Sequence, residues 1–353
     1  MADPNNPAAG MPQMPTGAPG MQQQNPMMQM MQMMQMMQMM GGGLGGAPTI
    51  DPAAIPFATG QLQPDTDSGL DSDIIRPATL ANLVKSQQGV RTGSVLDRLC
   101  LTEDATGSLG GLPKGCTIAF AGPPGMGKTR TAISALSLVA QTGQKVAFVV
   151  AEEGFHDESE SGRDDLASRM AKIGMSATGL DEAELRTQVL ENIYVLESQY
   201  HKGQTWDDFV SKYRYLVEKQ DIKFVVIDSL NMLDPTKHRT ADNLSALKTY
   251  NHERGITALC IGQIKDTGSP VGGEALMHTA DAVYLLEEMG LTSKDMAAKW
   301  GGNYRDRIHV IRIVKSVTTP IFPHPVRVER EAGTGVLRPH PDQPEEYALL
   351  PEA

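Results

Sequence analysis

Between residues 92 and 337, short runs of apolar residues alternate with longer segments whose apolar positions recur at helical spacing. A strand with one wet face alternates apolar and polar residues, so a run that is apolar throughout reads as a strand buried on both faces. Segments 116–120, 145–150, 192–196, 223–227, 258–262, 282–286 and 308–314 are of this kind. Segments 130–141, 163–172, 206–219 and 244–254 read as the intervening helices, and a shorter helix is expected near 75–85 around Ala81-Asn82-Leu83-Val84. Strands separated by helices predict an α/β fold with a mostly parallel central sheet covered on both faces. The acidic stretch 157–161 and the polar stretch 293–305 read as excursions between elements.

Outside that region the pattern fails. Residues 1–75 are dominated by Pro, Gly, Gln and Met, and 27–40 repeats Met-Met-Gln. A period of three drifts by about 60° per repeat on a 3.6-residue helix, which leaves only a weak apolar face. The segment reads as a disordered low-complexity tail. The alternative is a docking segment for a protein partner, since methionine adapts to many surfaces. Residues 338–353 carry four prolines and read as a second tail, leaving 76–337 as the core.

Composition narrows the classes. A net charge of −11 and a pI near 5.2 argue against coating nucleic acid through bulk positive charge, while leaving room for a local basic channel. Three cysteines are too few and too scattered for a disulfide scaffold or a zinc site. Two of them, Cys116 and Cys260, lie in predicted core strands, where a thiol acts as a small apolar group; a reducing, cytoplasmic setting is expected. No secretory pattern opens the sequence, and no apolar run approaches the roughly 20 residues that span a bilayer.

The chemistry concentrates at the ends of predicted strands. Gly122, Pro123, Pro124, Gly125, Met126, Gly127, Lys128 and Thr129 fit G-x-x-x-x-G-K-[ST], the phosphate-binding loop, and lie between a strand and a helix as that loop requires. Its glycines let backbone N–H groups close on phosphate oxygens, and the helix N-terminus adds partial positive charge. With Arg130 these residues form the expected nucleotide-binding segment. Lys128 can reach the β and γ phosphates, and the Thr129 hydroxyl can sit on Mg²⁺. The apolar strand 223–227 ends in Asp228, which places a carboxylate where ligands bind in open α/β sheets and where it can share Mg²⁺ with Thr129. The strand before Glu152 and Glu153 ends at the same edge, and either glutamate can activate a water. Gln263 closes another apolar strand, and its amide can sense a γ-phosphate and relay its state to the glycine-rich loop 266–273.

In order and spacing these pieces resemble the core of the RecA-type recombination ATPases. They are closest to the RadA/Sms branch, with likeness to archaeal RadA and to KaiC-type ATPases. The resemblance runs from about residue 92 to 337. Thr92-Gly93 with Leu96-Asp97 and then Gly110-Gly111-Leu112-Pro113 are similar to the family's opening motifs, and Ala151-Glu152-Glu153 to its paired-acid strand end. Val226-Ile227-Asp228-Ser229 is similar to the family's Mg²⁺ strand, and Pro270-Val271-Gly272-Gly273 to the end of its second DNA-binding loop. The departures are plain: the four-cysteine zinc finger and the Lon-like domain of RadA/Sms are not seen, and Lys315-Ser316-Val317-Thr318 stands where KNRFG is expected.

The resemblance implies an oligomeric Mg²⁺-dependent ATP hydrolase, assembled as a ring or filament and coupled to DNA, single-stranded by preference, in recombination, repair or translocation. It implies that Lys315 acts on the neighbouring subunit's nucleotide, with Arg312 as the lesser candidate. The rival readings are a KaiC-like regulatory ATPase that acts on protein partners, and a scaffold that only binds ATP.

Overall fold

The structure, a computed structural model, describes residues 76–81, 83–156, 164–199, 203–229, 233, 240–263 and 278–352. The Met-rich repeat, the acidic stretch 157–161 and the loop 266–273 lie outside these residues. The chain divides into two units, Met1–Ala81 and Asn82–Ala353. Of the first, the described residues form one 3-10 turn at Pro77–Thr79. Among the described residues of 75–85 the expected α-helix is not formed. Residues 83–88 carry no regular structure, and the Leu83 and Val84 side chains are 66% and 90% exposed. A short helix without a packed apolar face has too little to offset its nucleation cost.

The second unit is built on a nine-stranded sheet. Its strands in chain order are β3 (Thr117–Gly122), β4 (Val146–Val150), β5 (Ile193–Glu197), β6 (Phe224–Asp228), β7 (Thr257–Gln263), β8 (Ala282–Gly290), β9 (Arg307–Ser316), β10 (Val326–Arg330) and β11 (Leu337–Pro339). A two-residue pair, β1 (Gly89–Val90) with β2 (Leu112–Pro113), precedes them. The order across the sheet is β11-β10-β9-β8-β3-β7-β6-β4-β5. From β8 to β5 every pairing is parallel; β9, β10 and β11 extend the sheet antiparallel. The helices are α1 (Lys128–Gln141), α2 (Leu166–Thr178), α3 (Glu182–Gln188), α4 (Trp206–Gln220), α5 (Thr240–Arg254) and α6 (Lys294–Lys299).

The continuous apolar runs are explained by burial on both faces. Ile118, Phe120, Phe148, Phe224 and Val226 point to the side covered by α1 and α2, where they meet Ile133, Leu136, Met170 and Ile173. Their neighbours Ala119, Ala147, Val149, Val225 and Ile227 point to the other side, against Phe209 and Tyr213 of α4 and Leu244 and Leu247 of α5. Helix starts follow local chemistry. Asp165 caps α2 by accepting from Ser168 N at 2.7 Å, and Thr205 with Asp208 forms a reciprocal cap on α4.

The C-terminal residues, read from the sequence as a tail, pack on this body. Arg338 and Pro339, in β11, pair with Glu329 and Val328 of β10. Ser108 N donates to Pro351 O at 2.8 Å, and Leu349 and Leu350 pack on the main core. The prolines fit because this segment is extended and needs few ladder hydrogen bonds. The polar stretch 293–305 likewise folds: Ser293 caps α6, and Trp300 beyond it is 3% exposed within a small core of its own with Leu291, Ile308 and Val310.

Candidate functional site

Parallel strands carry their C-terminal ends to one edge, and the strand order makes four of those ends neighbours. Gly122 at the end of β3 lies beside Gln263 at the end of β7. Asp228 at the end of β6 lies beside Val150 at the end of β4, and Glu152 and Glu153 follow Val150 after the single residue Ala151. Residues spread over 142 positions of sequence thus meet at one site because the sheet is parallel.

The phosphate loop turns from β3 into α1. Gly125 and Gly127 have φ of 73° and 95°, a region that L side chains avoid. At Gly127 a Cβ would also lie 2.7 Å from Gly335 O. Lys128 Nζ donates to Gly122 O at 2.8 Å and Pro123 O at 2.6 Å, so the ammonium sits inside the curve of the loop. Burial pushes its pKa down to about 8, against the opposing pull of the Asp228 and Glu152 carboxylates.

Thr129 Oγ1 donates to Asp228 Oδ2 at 2.5 Å. Burial pushes the Asp228 carboxyl up to about 6, although the Thr129 hydrogen bond and Lys128 favour its charged form. A hydroxyl and a buried carboxylate side by side form an oxygen donor pair that suits a hard cation, which takes one or two carboxylates and completes its shell with phosphate and water. The residues therefore fit Mg²⁺ accompanying a polyphosphate. Among the described residues there is no cluster of three or more His, Cys, Asp or Glu that would hold a metal without such help.

The two glutamates differ. Glu153 Oε2 accepts from Arg169 Nη2 at 2.6 Å, an ion pair with side chains 36% and 20% exposed. Glu152 is exposed, and its Oε1 accepts from Gln263 Nε2 at 3.0 Å. The structure thus joins Gln263 to one of the two acids left open by sequence. Arg130 lines the mouth of the loop but turns its Nη1 to Thr334 O at 2.7 Å. Lys315 lies elsewhere. It pairs with Val283, which pairs with Ala119, three positions before Gly122 on β3, so it does not line this cleft. Its Nζ donates to His278 O. Arg312 is held by Glu287 through two hydrogen bonds.

Three contributors were not visible in the sequence. Arg169, Arg330 and Gly335 line the cleft of about 210 Å³ beside the loop. Arg330 and Gly335 come from the β10–β11 hairpin, far from the motif in sequence. Only the alternation in Val326-Arg327-Val328 hinted at that hairpin.

A family model described as "ATPase: KaiC" matches residues 90–335. A DNA repair and recombination protein RadB from Methanosphaera stadtmanae is 25% identical over 195 residues, covering 51% of this chain and 75% of that protein. DNA repair proteins RadA from Brucella abortus and Helicobacter pylori are 22% and 27% identical over 181 and 186 residues. This chain spans 35% of the length of each of those two proteins. The solved structure of a KaiC-like protein from Pyrococcus horikoshii superposes with a TM-score of 0.51 at 20% identity, covering 72% of this chain and all of that one. The fold is RecA-like. No helix among the described residues is long and apolar enough to cross a membrane.

Proposed function

Because the chain belongs to the KaiC-type ATPase family, we propose that it hydrolyses ATP with Mg²⁺ and works as an oligomer. The observation that carries this reading is the meeting of the phosphate loop, the Thr129–Asp228 pair and the Glu152–Gln263 pair at one sheet edge. Lys128 exchanges its two carbonyl partners for β- and γ-phosphate oxygens. Backbone N–H groups of Gly125 to Thr129 close around the phosphates without steric hindrance. Thr129 and Asp228 supply the oxygens for the cation. When bound, Mg²⁺ neutralises charge between the β and γ phosphates.

Glu152 takes the proton of the attacking water as its oxygen adds to the γ-phosphorus and ADP leaves. Glu153 is less available to a water because the Arg169 guanidinium holds it in an ion pair. Gln263 links the γ-phosphate to the segment that follows β7. Lys315, remote from its own phosphate loop, acts on the nucleotide of a neighbouring subunit in a ring or filament.

The RadB and RadA relatives, named for DNA repair and recombination, support coupling of turnover to DNA through the segment after Gln263. The family match and the net charge of −11 favour a second reading, in which turnover drives contacts with protein partners. ATP turnover with and without single-stranded DNA, at fixed and stated salt, separates them. Stimulation by DNA supports the first reading; turnover indifferent to DNA overturns it and leaves the second.

A further inference from the structure

The geometry points to Arg330 as a second cation on the nucleotide, contributed by the same subunit and directed at the phosphates beyond the α position. This inference rests on the ATP-binding reading above and adds a residue to it.

Arg330 closes strand β10, and its place is fixed from two sides. β10 pairs with β9 through Val328 and His309, and with β11 through Arg330 and Leu337. The turn between β10 and β11 is closed by Glu331 N donating to Val336 O and Gly335 N donating to Glu331 O, at 2.8 and 2.9 Å. The hairpin is then fastened to the start of α1. Leu337 N donates to Thr131 Oγ1 at 3.0 Å, and that hydroxyl donates to Gly127 O at 2.9 Å. Arg130 reaches back to Thr334 O, and Gly335 O comes so close to Gly127 that a Cβ on Gly127 would lie 2.7 Å from it. Hairpin and phosphate loop therefore form one unit, and a side chain at the end of β10 has a defined position relative to the loop.

Arg330 Nη1 lies 3.3 Å from Gly125 O, in the middle of the loop, and its guanidinium lines the cleft with Lys128 and Thr129. The charge is not spent elsewhere. Arg169 is paired with Glu153, Arg312 with Glu287, Arg307 with Glu288 and Arg338 with Glu331. Among the described residues no carboxylate pairs with Arg330. A single long hydrogen bond to a carbonyl leaves most of its N–H donors available. An exposed guanidinium without a counter-ion, held at the mouth of an anion-binding loop, matches the forked recognition of phosphate oxygens. Lys315 cannot fill this place in its own subunit, since it lies outside the cleft.

The test is a calorimetric titration of the full-length protein with a hydrolysis-resistant ATP analogue and with AMP, for wild type, Arg330→Gln and Arg330→Lys. Removing a charge-assisted contact predicts about tenfold or greater loss of analogue affinity in Arg330→Gln, with AMP affinity kept. Arg330→Lys should recover part of the loss, because it restores the charge without the fork. Unchanged analogue affinity overturns the inference. So does an equal loss for the analogue and AMP, which would make Arg330 a structural support of the hairpin. Wild-type protein that binds neither ligand sinks the ATP reading itself, a failure distinct from normal binding by Arg330→Gln.

Discussion

Replacing the three glycines around the phosphate loop one at a time should produce a graded series set by the space each occupies. All three hold positive φ: 73° at Gly125, 95° at Gly127 and 70° at Gly335. For alanine, the left-handed region alone costs about 1–2 kcal/mol. At Gly125 nothing lies within 4 Å of the added methyl, so strain is the whole cost. At Gly335 the methyl meets Arg130 Cδ at 2.8 Å, part of a flexible side chain that can move, although moving it disturbs the bond to Thr334 O. At Gly127 the methyl meets Gly335 O at 2.7 Å, a backbone atom fixed by the hairpin, with Leu337 close behind. Forcing the two apart adds an overpacking cost of about 1–3 kcal/mol. Gly127→Ala should therefore cost about 2–5 kcal/mol, against about 1–2 kcal/mol for Gly125→Ala. For a chain of this size that is a drop in Tm of about 4–20 °C for Gly127→Ala. Scanning calorimetry of the protein without nucleotide measures it. The reasoning fails if Gly127→Ala melts no lower than Gly125→Ala, because the hairpin would then not be pressed against the loop.

Glu152→Gln should lower ATP turnover by about a hundredfold or more while nucleotide binding persists, and Glu153→Gln should cost less; steady-state phosphate release ranks them. Asp228→Asn should weaken the hold on Mg²⁺, read as a rise of at least tenfold in the concentration for half-maximal rate, and EDTA should abolish turnover in the wild type. Asp97 gives a pH prediction away from the nucleotide. Its buried carboxyl is raised from 3.8 to about 6, chiefly by desolvation, despite hydrogen bonds from Thr92 and Gly93. The folded state thus favours the protonated form, so this group's contribution is full below pH 3.8 and is lost as pH rises to about 6. At about 1.4 kcal/mol per pH unit that is about 3 kcal/mol, seen as a fall in the urea midpoint of wild type relative to Asp97→Asn across the interval.

Much of the site could be read from the sequence because the strands that bear it are buried on both faces. An apolar run such as Phe224-Val225-Val226-Ile227 that stops at Asp228 marks both a strand and its C-terminal end. The same holds for the run ending at Gln263 and the one preceding Glu152. The elements that escaped lie where burial is one-sided or the partner is distant. β10 reads Val-Arg-Val-Glu-Arg and buries only its two valines, so its charges mask the strand. The contact of Arg330 with Gly125 spans 205 positions and has no local signature. The choice between Glu152 and Glu153 depends on the partners Gln263 and Arg169, and only the register of the sheet and the packing of α2 bring those near.

Inorganic phosphate release from ATP by purified protein, with magnesium present, compared with Lys128→Ala, bears most directly on the account. It predicts steady turnover in the wild type and none above background in the variant. Equal release from both, or release from neither when DNA and protein partners are supplied, would contradict it.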